Sequence, residues 1–425
     1  MEPETTRLSH RYSPRLPIPP VLRMSEPGSF AQYTLKKRLP AIVGTVISDN
    51  ALSQSALANL GALAQELSSG TIRPIEEDGG ADVAAWSSYV KPFEGNSWQD
   101  LPFYFAEAYF YRRILEAIAY FQTDAIGSFA VAGGSPTDPF ARQKHLSLET
   151  AREAIRTIVS QIPASNPSFP NPTAQTDDLI RLLYLSLWGN RVDLSLWSAS
   201  TSSRIRTQVE QDTEHILINH SHAVVHQLSQ MQGARFDWTV DNAGFELVCD
   251  LVLVDFLLSS GIAQTVCLHL KPHPIFVSDA LIADVHQTLE VLSADSHAAV
   301  RSFASRLQSF LTSNRLCLRE GFFWTAPLPL WEMPALLRQE LSQSQLVFVK
   351  GDANYRRLIG DCHWTFTTPL EDIANYFPTP FVALRTLKSQ VMTGLRSEQI
   401  DRLTKDDPTW LINGQWGMIH WINPQ

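Results

Sequence analysis

The sequence is poor in cysteine and in basic charge, and each shortage excludes a class of protein. Only four cysteines occur among 425 residues, and no two of them form a CxxC pair: Cys249, Cys267, Cys317 and Cys362. A disulfide framework or a structural zinc site is therefore not expected, and a reducing compartment fits. The formal net charge is -9. That charge disfavours a nucleic-acid partner, because such partners require a basic surface.

The sequence does not predict a segment that carries a protein into or across a membrane. Residues 1–24 contain four arginines among several prolines and no apolar stretch, so they do not resemble a signal peptide. The most apolar run, residues 243–258, is interrupted by Glu246, Asp250 and Asp255, and it predicts a buried helix instead of a membrane span. We therefore expect a cytoplasmic protein with no membrane partner, and no obligate protein partner is inferred from the sequence.

Glycine-rich loops that hold nucleotides are absent as well. Neither GxGxxG nor GxxxxGK[ST] occurs in the chain, so no nucleotide site of either type is predicted. The 425 residues, 44% of them hydrophobic, are nevertheless enough for a large core and for two or three domains.

Hydrophobic periodicity separates a helix-rich first half from a second half in which strands and helices alternate. Helical spacing covers residues 30–47, 50–67, 101–121, 177–188 and 214–232. Short apolar runs then predict strands at residues 236–240, 263–270, 346–350 and 381–386, with helical segments between them. This alternation predicts an α/β fold whose mainly parallel sheet is covered by helices on both faces. We divide the chain into a flexible N-terminal segment (1–28), a helical domain (29–232) and an α/β/α domain (233–425).

Three predicted strands end next to residues that suit metal and phosphate chemistry. Asp241 and Asn242 follow the strand at 236–240, and Asp279 follows the strand at 263–270. Lys350 and Arg356 flank the loop after the strand at 346–350. Ligands of such sheets bind beyond the carboxyl ends of the strands. Carboxylate and amide oxygens suit Mg²⁺ or Mn²⁺, and basic side chains suit an anion, so this edge predicts phosphate chemistry.

A purely structural interpretation of the same residues stays open. Asp241 or Asn242 could cap the helix that begins near residue 244, since Asp and Asn are common at that position. Asp279 could be an acid that the dipole of the next helix favours. The histidines at 220, 222 and 226 have a spacing that can bind zinc, but they lack the glutamate of an HExxH site, so a surface or packing role is favoured. His273 could approach Asp279.

Four runs in the second half resemble motifs of one known family. They lie at residues 241–246 (DNAGFE), 276–279 (FVSD), 350–356 (KGDANYR) and 385–388 (RTLK). They are similar to the damage-control phosphatase family, formerly domain-of-unknown-function family 89, in the sugar-phosphate phosphatase branch that carries an Arg-Thr-x-Lys motif. Segments at 107–113, 187–195 and 410–414 also resemble that branch, so the resemblance spans nearly the whole chain.

The resemblance implies a helical N-terminal part, a Rossmann-like α/β/α sandwich, and hydrolysis of small phosphometabolites such as fructose 1-phosphate. By position, Asp241, Asn242 and Asp279 match the metal ligands, and we assign catalysis to the same three residues. The matching substrate contacts are Asp241, Asn242, Asp352, Ala353, Asn354, Tyr355, Arg356 and Lys388. The implied cofactor is a divalent metal ion, Mn²⁺, Ni²⁺ or Co²⁺, with Mg²⁺ as a further candidate. The residues do not decide whether Asp241 is also a nucleophile or a base.

A second activity must be weighed, because the same branch has also been described as methylating protein carboxyl groups with S-adenosylmethionine. A methyl transfer gains nothing from acids for a metal beside Lys350, Arg356 and Lys388, and the usual glycine-rich cofactor turn is missing. The sequence therefore favours the phosphatase over a glutamate O-methyltransferase.

Overall fold

The centre of the computed structural model, which describes residues 12–122, 137–161, 172–189 and 213–424, is one seven-stranded sheet. Its strands are β1 (Ile216–Asn219), β2 (Ala234–Thr239), β3 (Ala263–Leu270), β4 (Leu316–Glu320), β5 (Leu346–Lys350), β6 (Phe381–Thr386) and β7 (Gly417–Ile422). Their order across the sheet is β1-β7-β6-β5-β2-β3-β4. Strands β2 to β6 are parallel, whereas β7 pairs antiparallel with β6 and parallel with β1.

Both faces of the sheet are buried, and strand β5 shows how its residues divide between them. Val347 and Val349 belong to the apolar core on one face, and Leu346 and Phe348 belong to the core on the other. Successive side chains of a strand point to opposite faces, so a continuous apolar run such as β5 needs helices on both sides. The predicted α/β/α sandwich is confirmed.

The core on the first face is built from the first five helices and the last four. The first five are α1 (Phe30–Tyr33), α2 (Leu39–Asp49), α3 (Gln54–Ser69), α4 (Val83–Val90) and α5 (Phe103–Ala117). The last four are α13 (Ala335–Leu341), α14 (Asp352–Leu358), α15 (Leu370–Ile373) and α16 (Ser397–Asp406). A π-helical turn, Thr34–Arg38, joins α1 to α2. It lies just before Pro40, which has no N–H to donate to the helical ladder.

The core on the second face is built from the seven helices between these two groups. They are α6 (Ala141–Thr150), α7 (Arg152–Gln161), α8 (Pro172–Trp188), α9 (Ser221–Ser229), α10 (Phe245–Ser259), α11 (Ile282–Ser293) and α12 (Ala298–Thr312). Helix α10 is buried on all sides from residue 245 to 258, which confirms the prediction of a buried helix. Two of its buried acids have partners on other helices: Asp250 accepts a hydrogen bond from Ser186, and Asp255 forms an ion pair with Arg306.

The predicted helix over residues 214–232 is wrong, because that segment contains strand β1 followed by α9. Ile216, Leu217 and Ile218 form a run of buried apolar residues that pairs with β7. The Asn219 side chain then accepts a hydrogen bond from the Ser221 N–H at 3.1 Å, where the chain turns from strand to helix. Strand β7, which the sequence analysis did not predict, is the partner that makes this short strand possible.

The sheet begins upstream of the boundary placed at residue 233, since β1 already belongs to it. The helices of the first half also divide between the two faces, α1–α5 on one and α6–α8 on the other. The division into three segments stays a prediction. Within the described residues no helix is both long enough and apolar enough to cross a membrane, and a cytoplasmic location also stays a prediction.

Candidate active site

The turn from β2 into α10 carries the first two predicted ligands, Asp241 and Asn242, at the carboxyl edge of the sheet. Gly244 makes this turn possible, because its φ of 70° lies in the region that side chains disfavour. A Cβ at Gly244 would also lie 2.6 Å from Ser147 Oγ of α6. The turn is therefore held tightly against the helix that covers it.

The loop after β3 lies against this turn and brings the third predicted ligand to it. The N–H of Ala243 donates to the carbonyl of Ser278 at 2.7 Å, and the N–H of Ala280 donates to the carbonyl of Asp241 at 2.9 Å. These bonds make Asn242 and Asp279 neighbours in a short antiparallel bridge. The structure thus brings Asp241, Asn242 and Asp279 together, as the rule for parallel sheets predicts.

The Asn242 side chain is oriented by hydrogen bonds on both of its ends. Its Nδ2 donates to Asp241 Oδ2 and to Glu246 Oε2, each at 2.7 Å. Its Oδ1 accepts from the Ser278 hydroxyl. Glu246 comes from the first turn of α10 and is 4% exposed, so it fixes the amide from beneath. Glu246 belongs to the DNAGFE run, but the sequence did not predict a role for it.

Asp241 lies directly under the turn that follows β5. Gly351 has a φ of 89°, and a Cβ on it would lie 2.1 Å from Asp241 Cγ, so only glycine leaves room for this carboxylate. Burial raises the pKa of Asp241 well above its ordinary value, and the nearby charges of Glu246 and Asp279 raise it further. The charges of Lys271 and Lys350 lower this pKa, but they do not offset burial and the two neighbouring acids.

Lys271, immediately after β3, supplies part of the missing charge. Its ammonium lies 3.0 Å from Asp279 Oδ2 in an ion pair without good hydrogen-bond geometry, and it donates to the carbonyl of Val240 at 3.0 Å. Burial still raises the pKa of Asp279, because Lys271 only partly offsets the loss of water. Sequence reasoning missed Lys271, although its place at a strand end was the available signal.

Lys350 does not supply free positive charge, which corrects the expectation from the sequence. It is 1% exposed, and its ammonium binds Glu246 and Asp250, the latter at 3.3 Å. Burial alone would lower the pKa of Lys350, but the charges of Asp250 and Glu246 outweigh it and raise that pKa. The lysine is thus fully engaged in a buried network with α10.

The predicted substrate contacts at residues 352–356 form the first turns of α14, and most of their side chains already have partners. Asn354 Nδ2 donates to the carbonyl of Lys350 at 2.8 Å, and Tyr355 shares a hydrogen bond with Thr393 at 2.8 Å. Ala353 is partly buried and packs against the first-face core. Their roles as substrate contacts stay predictions.

Arg356 is the most heavily paired member of this turn. Its guanidinium donates to both carboxylate oxygens of Asp361, at 2.8 and 2.9 Å, and to Glu107 Oε2 at 2.5 Å. It also lies over the ring of Phe103, 4.1 Å from the ring centroid. In this arrangement Arg356 joins α5 to α14, and a contact with substrate would require exchange of one of these carboxylates.

Lys388 differs from the other basic residues at this edge. Its side chain is half-buried, and in the described parts of the chain its ammonium forms no ion pair or hydrogen bond. The backbone around it is fixed by the tail: Gly414 N–H donates to the carbonyl of Leu387 at 3.0 Å. Strand β6 lies two strands from β2, about 10 Å away, so Lys388 follows β6 at the same edge of the sheet as the acids.

The helix motif at 107–113 and the motif at 187–195 have structural neighbours of their own. Arg112 pairs with Asp78 and Asp82, and Arg113 pairs with Glu66 and Glu116. Residues 190–195 of the second motif lie outside the described residues, whereas Gly189 packs closely against Cys249 of α10.

The structure shows the surroundings of the histidines that the sequence analysis considered, His273 and the His220–His226 run. His273 is buried, and its Nε2 lies 3.3 Å from Asp82 of the N-terminal helices. The ring of His220 packs against His420 at 5.0 Å, while His222 and His226 are exposed. Among the described residues the His220–His226 run belongs to no cluster with metal-ligand geometry.

A different cluster, Asp237, His269 and Glu340, has potential ligand atoms within 4.8 Å of one another. Its carboxylate at Asp237 is already bonded to Arg235 at 2.8 Å and to His269 at 2.6 Å, and it also accepts from Ser344. Asp237 precedes Asp241 by four residues, or about 13 Å along a strand. This cluster is therefore separate from the predicted ligands, and the Arg235 guanidinium already balances its Asp237 carboxylate.

A cavity of about 470 Å³ lies beside α14. Arg356, Arg357 and Asp361 line it together with mainly apolar and aromatic residues such as Tyr104 and Trp331. Its lining does not include Asp241, Asn242, Asp279 or Lys388, so it is not the acid-lined edge itself.

A family model and curated relatives match most of this chain. The model of the damage-control phosphatase ARMT1-like domain matches residues 34–403. Proteins named damage-control phosphatase ARMT1 are 31% identical in Rattus norvegicus, 32% in Mus musculus and 30% in Homo sapiens, each over 96% of this chain and 99% of that protein. Among solved structures, a DUF89 family protein from Pyrococcus horikoshii has a TM-score of 0.48 and 12% identity, over 92% of this chain and 97% of that chain.

Proposed function

The chain belongs to the damage-control phosphatase ARMT1-like family, and we propose that it is a metal-dependent phosphatase of small phosphorylated metabolites. Sugar phosphates of the fructose 1-phosphate type are the substrates we propose first. The observation that carries the proposal is the meeting of Asp241, Asn242 and Asp279 at the sheet edge that also presents Lys388.

The residues present fit a divalent metal ion. Two carboxylates and one amide oxygen are hard oxygen donors of the kind that Mg²⁺ and Mn²⁺ prefer. Asp241 and Asp279 both have raised pKa values because they are buried and their charges are incompletely balanced. A cation between them would relieve this imbalance. We propose Mn²⁺, Ni²⁺ or Co²⁺, with Mg²⁺ as a further candidate.

A bound divalent ion would supply positive charge that stabilises the phosphoryl oxygens as the ester bond breaks. The chain contributes the remaining groups. Glu246 and Ser278 hold the Asn242 amide, and Lys271 holds Asp279 from the side of β3. Lys388, a compact cation with no protein partner in the described residues, is the group that we assign to a phosphate oxygen.

The assignments of Asp352, Ala353, Asn354, Tyr355 and Arg356 as substrate contacts belong to the same proposal. Their support is position: they form the turn between Asp241 and Lys388, at the carboxyl end of β5. The partner we propose is a small phosphorylated metabolite and not a nucleic acid.

The direct test is a phosphate-release screen of small phosphate esters with Mn²⁺, Co²⁺, Ni²⁺ and Mg²⁺. We expect metal-dependent release by the wild type and a loss of at least about a hundredfold in Asp241→Ala and Asp279→Ala. The matched control is Asp255→Asn, which removes a buried acid of α10 that pairs with Arg306. Wild-type activity of Asp241→Ala at saturating metal, with the fold intact by circular dichroism, would refute the metal assignment.

A further inference from the structure

The loop that carries Lys388 has no regular structure of its own, so something else must fix the position of its side chain. Lys388 follows the end of β6 by two residues, and residues 387–396 form neither helix nor strand. A flexible four-carbon side chain on a mobile loop would bind phosphate weakly, because its ordering would oppose binding. The contacts of this loop therefore determine how well Lys388 is ordered for binding phosphate.

One carboxylate oxygen, Oδ1 of Asp352, accepts hydrogen bonds from three residues in and just before the Lys388 loop. Asp352 Oδ1 accepts from Arg385 Nε at 2.8 Å, from the Lys388 backbone N–H at 3.1 Å and from the Ser389 hydroxyl at 3.1 Å. Asp352 Oδ2 accepts no hydrogen bond from a described residue. Burial would raise the pKa of Asp352, but Arg385 and Arg356 outweigh burial and hold that pKa below its ordinary value. The carboxylate stays ionised and holds Lys388 by its backbone.

Arg385 is committed to the same cluster and faces away from solvent. It is 0% exposed, and its guanidinium lies 4.2 Å from the ring centroid of Tyr355. Its Nη2 donates to the Ser389 hydroxyl at 3.0 Å. The two basic residues of the Arg-Thr-x-Lys motif therefore differ in environment: the arginine is buried with Asp352, and the lysine is half-buried without a protein partner in the described residues.

We infer that Asp352 and Arg385 are positioning residues, which hold the loop so that Lys388 meets the phosphate group. The inference rests on the proposed function, because it takes Lys388 as the phosphate contact. It gives Asp352 Oδ1 a role other than direct contact with substrate and leaves Oδ2 available to a hydroxyl group of the substrate. It also explains why the motif needs arginine: only a planar fork can bond to Asp352 and Ser389 while stacking on Tyr355.

A double-mutant cycle on binding of inorganic phosphate tests this inference. Affinity would be measured by calorimetry in Mn²⁺ for the wild type, Lys388→Ala, Arg385→Gln and the double variant. We expect Lys388→Ala to weaken binding about ten- to a hundredfold. Arg385→Gln should weaken it about three- to tenfold when Lys388 is present and less than twofold when it is absent.

Asp352→Asn, alone and with Lys388→Ala, repeats the cycle with a smaller change of shape, in case the arginine variants do not fold. Arg306→Gln is the control for loss of an arginine–aspartate pair, because Arg306 bonds Asp255 on the opposite face of the sheet. It should lower the melting temperature and leave phosphate affinity unchanged.

The outcomes separate the inference from the proposed function. Equal weakening by Arg385→Gln with and without Lys388, or a fall in melting temperature with unchanged phosphate affinity, overturns the inference alone. Phosphate binding without metal-dependent turnover of any ester overturns the proposed function alone. If the wild type binds no phosphate, both are wrong.

Discussion

Gly351 is the position at which one added methyl group should disable the site. A Cβ there would lie 2.1 Å from both Cγ and Oδ2 of Asp241, whereas ordinary contact begins at 3.4 Å. The Asp241 carboxylate or the turn must therefore move by about 1.3 Å in Gly351→Ala. The change adds no charge and removes no hydrogen bond, so its effect on the site is one of geometry.

Two separate costs are expected from Gly351→Ala. The φ of 89° and ψ of 170° lie in a region that essentially only glycine adopts, and such strain costs alanine about 1–3 kcal/mol of stability. The displacement of Asp241 acts on function, since a shift of about 1 Å at a catalytic group can lower the rate about a hundredfold. We therefore expect a modest loss of stability and a loss of about a hundredfold in metal-dependent phosphate release.

Gly261→Ala separates these two costs. Gly261 has a similar φ of 79°, and a Cβ on it would have no atom within 4 Å. It should therefore show the loss of stability without the loss of activity. The measurements are the midpoint of urea unfolding, the affinity for Mn²⁺ by calorimetry and the rate of phosphate release, all made on both variants and the wild type.

Two results would contradict the role given to Asp241 beneath this turn. If Gly351→Ala binds Mn²⁺ with wild-type affinity and loses only the stability that Gly261→Ala loses, then Asp241 is not a metal ligand held beneath this turn. Activity lost equally in both variants would show that backbone strain, and not the displaced carboxylate, is the cause.

Four further predictions concern other parts of the protein. Mn²⁺ at a hundredfold excess over its Kd should stabilise the wild type by about 2.7 kcal/mol and leave the melting temperature of Asn242→Ala and Asp279→Ala unchanged; an equal rise in all three would place the ion elsewhere. Lys388→Arg should restore only part of the kcat/KM lost in Lys388→Ala, because a guanidinium differs in reach and shape; full restoration would contradict a specific ammonium contact. S-adenosylmethionine should not raise the melting temperature; clear stabilisation, together with no metal-dependent phosphate release, would favour a methyltransferase. Burial would raise the pKa of Asp82, but His273 and Arg112 lower it from 3.8 to about 2. Asp82 should therefore contribute about 2 kcal/mol of stability above pH 3.8, and this contribution should be lost as the pH falls through 2. In urea unfolding, the difference in stability between the wild type and Asp82→Asn should shrink over that pH range, and a constant difference would contradict the assignment.

The strand-end rule explains how much of the site the sequence could predict. The strands at 263–270, 346–350 and 381–386 have the predicted bounds, since each contains an apolar run and polar residues stand at or just beyond its end. Because strands β2 and β3 are parallel neighbours, the residues just beyond them must share one edge. Asp241, Asn242 and Asp279 follow from that argument without any knowledge of their contacts.

The partners of the basic residues could not be predicted in the same way. Arg356 meets Glu107, which lies 249 residues away in the chain, and Lys350 meets Glu246 across 104 residues. Hydrophobic periodicity fixes which face of a helix is buried, but it does not determine which acid a buried cation meets. Strands β1 and β7 were missed for a related reason: β7 pairs with both β6 and β1, and its pairing with β1 joins distant parts of the chain.

Charge balance at the carboxyl edge of the sheet connects these observations to function. Lys350 is balanced by Glu246 and Asp250, and Arg356 is balanced by Asp361 and Glu107. Asp352 is balanced by Arg385, and Lys271 only partly balances Asp279. What remains at this edge is a buried carboxylate at Asp241, whose neighbours repel its charge, and an ammonium at Lys388 with no partner in the described residues. A divalent cation would balance the charge of Asp241, and a phosphate group would balance the charge of Lys388. One metal-bound phosphate ester would therefore balance both. The large number of charged residues at this edge is therefore less informative than the two whose charges the protein leaves unbalanced.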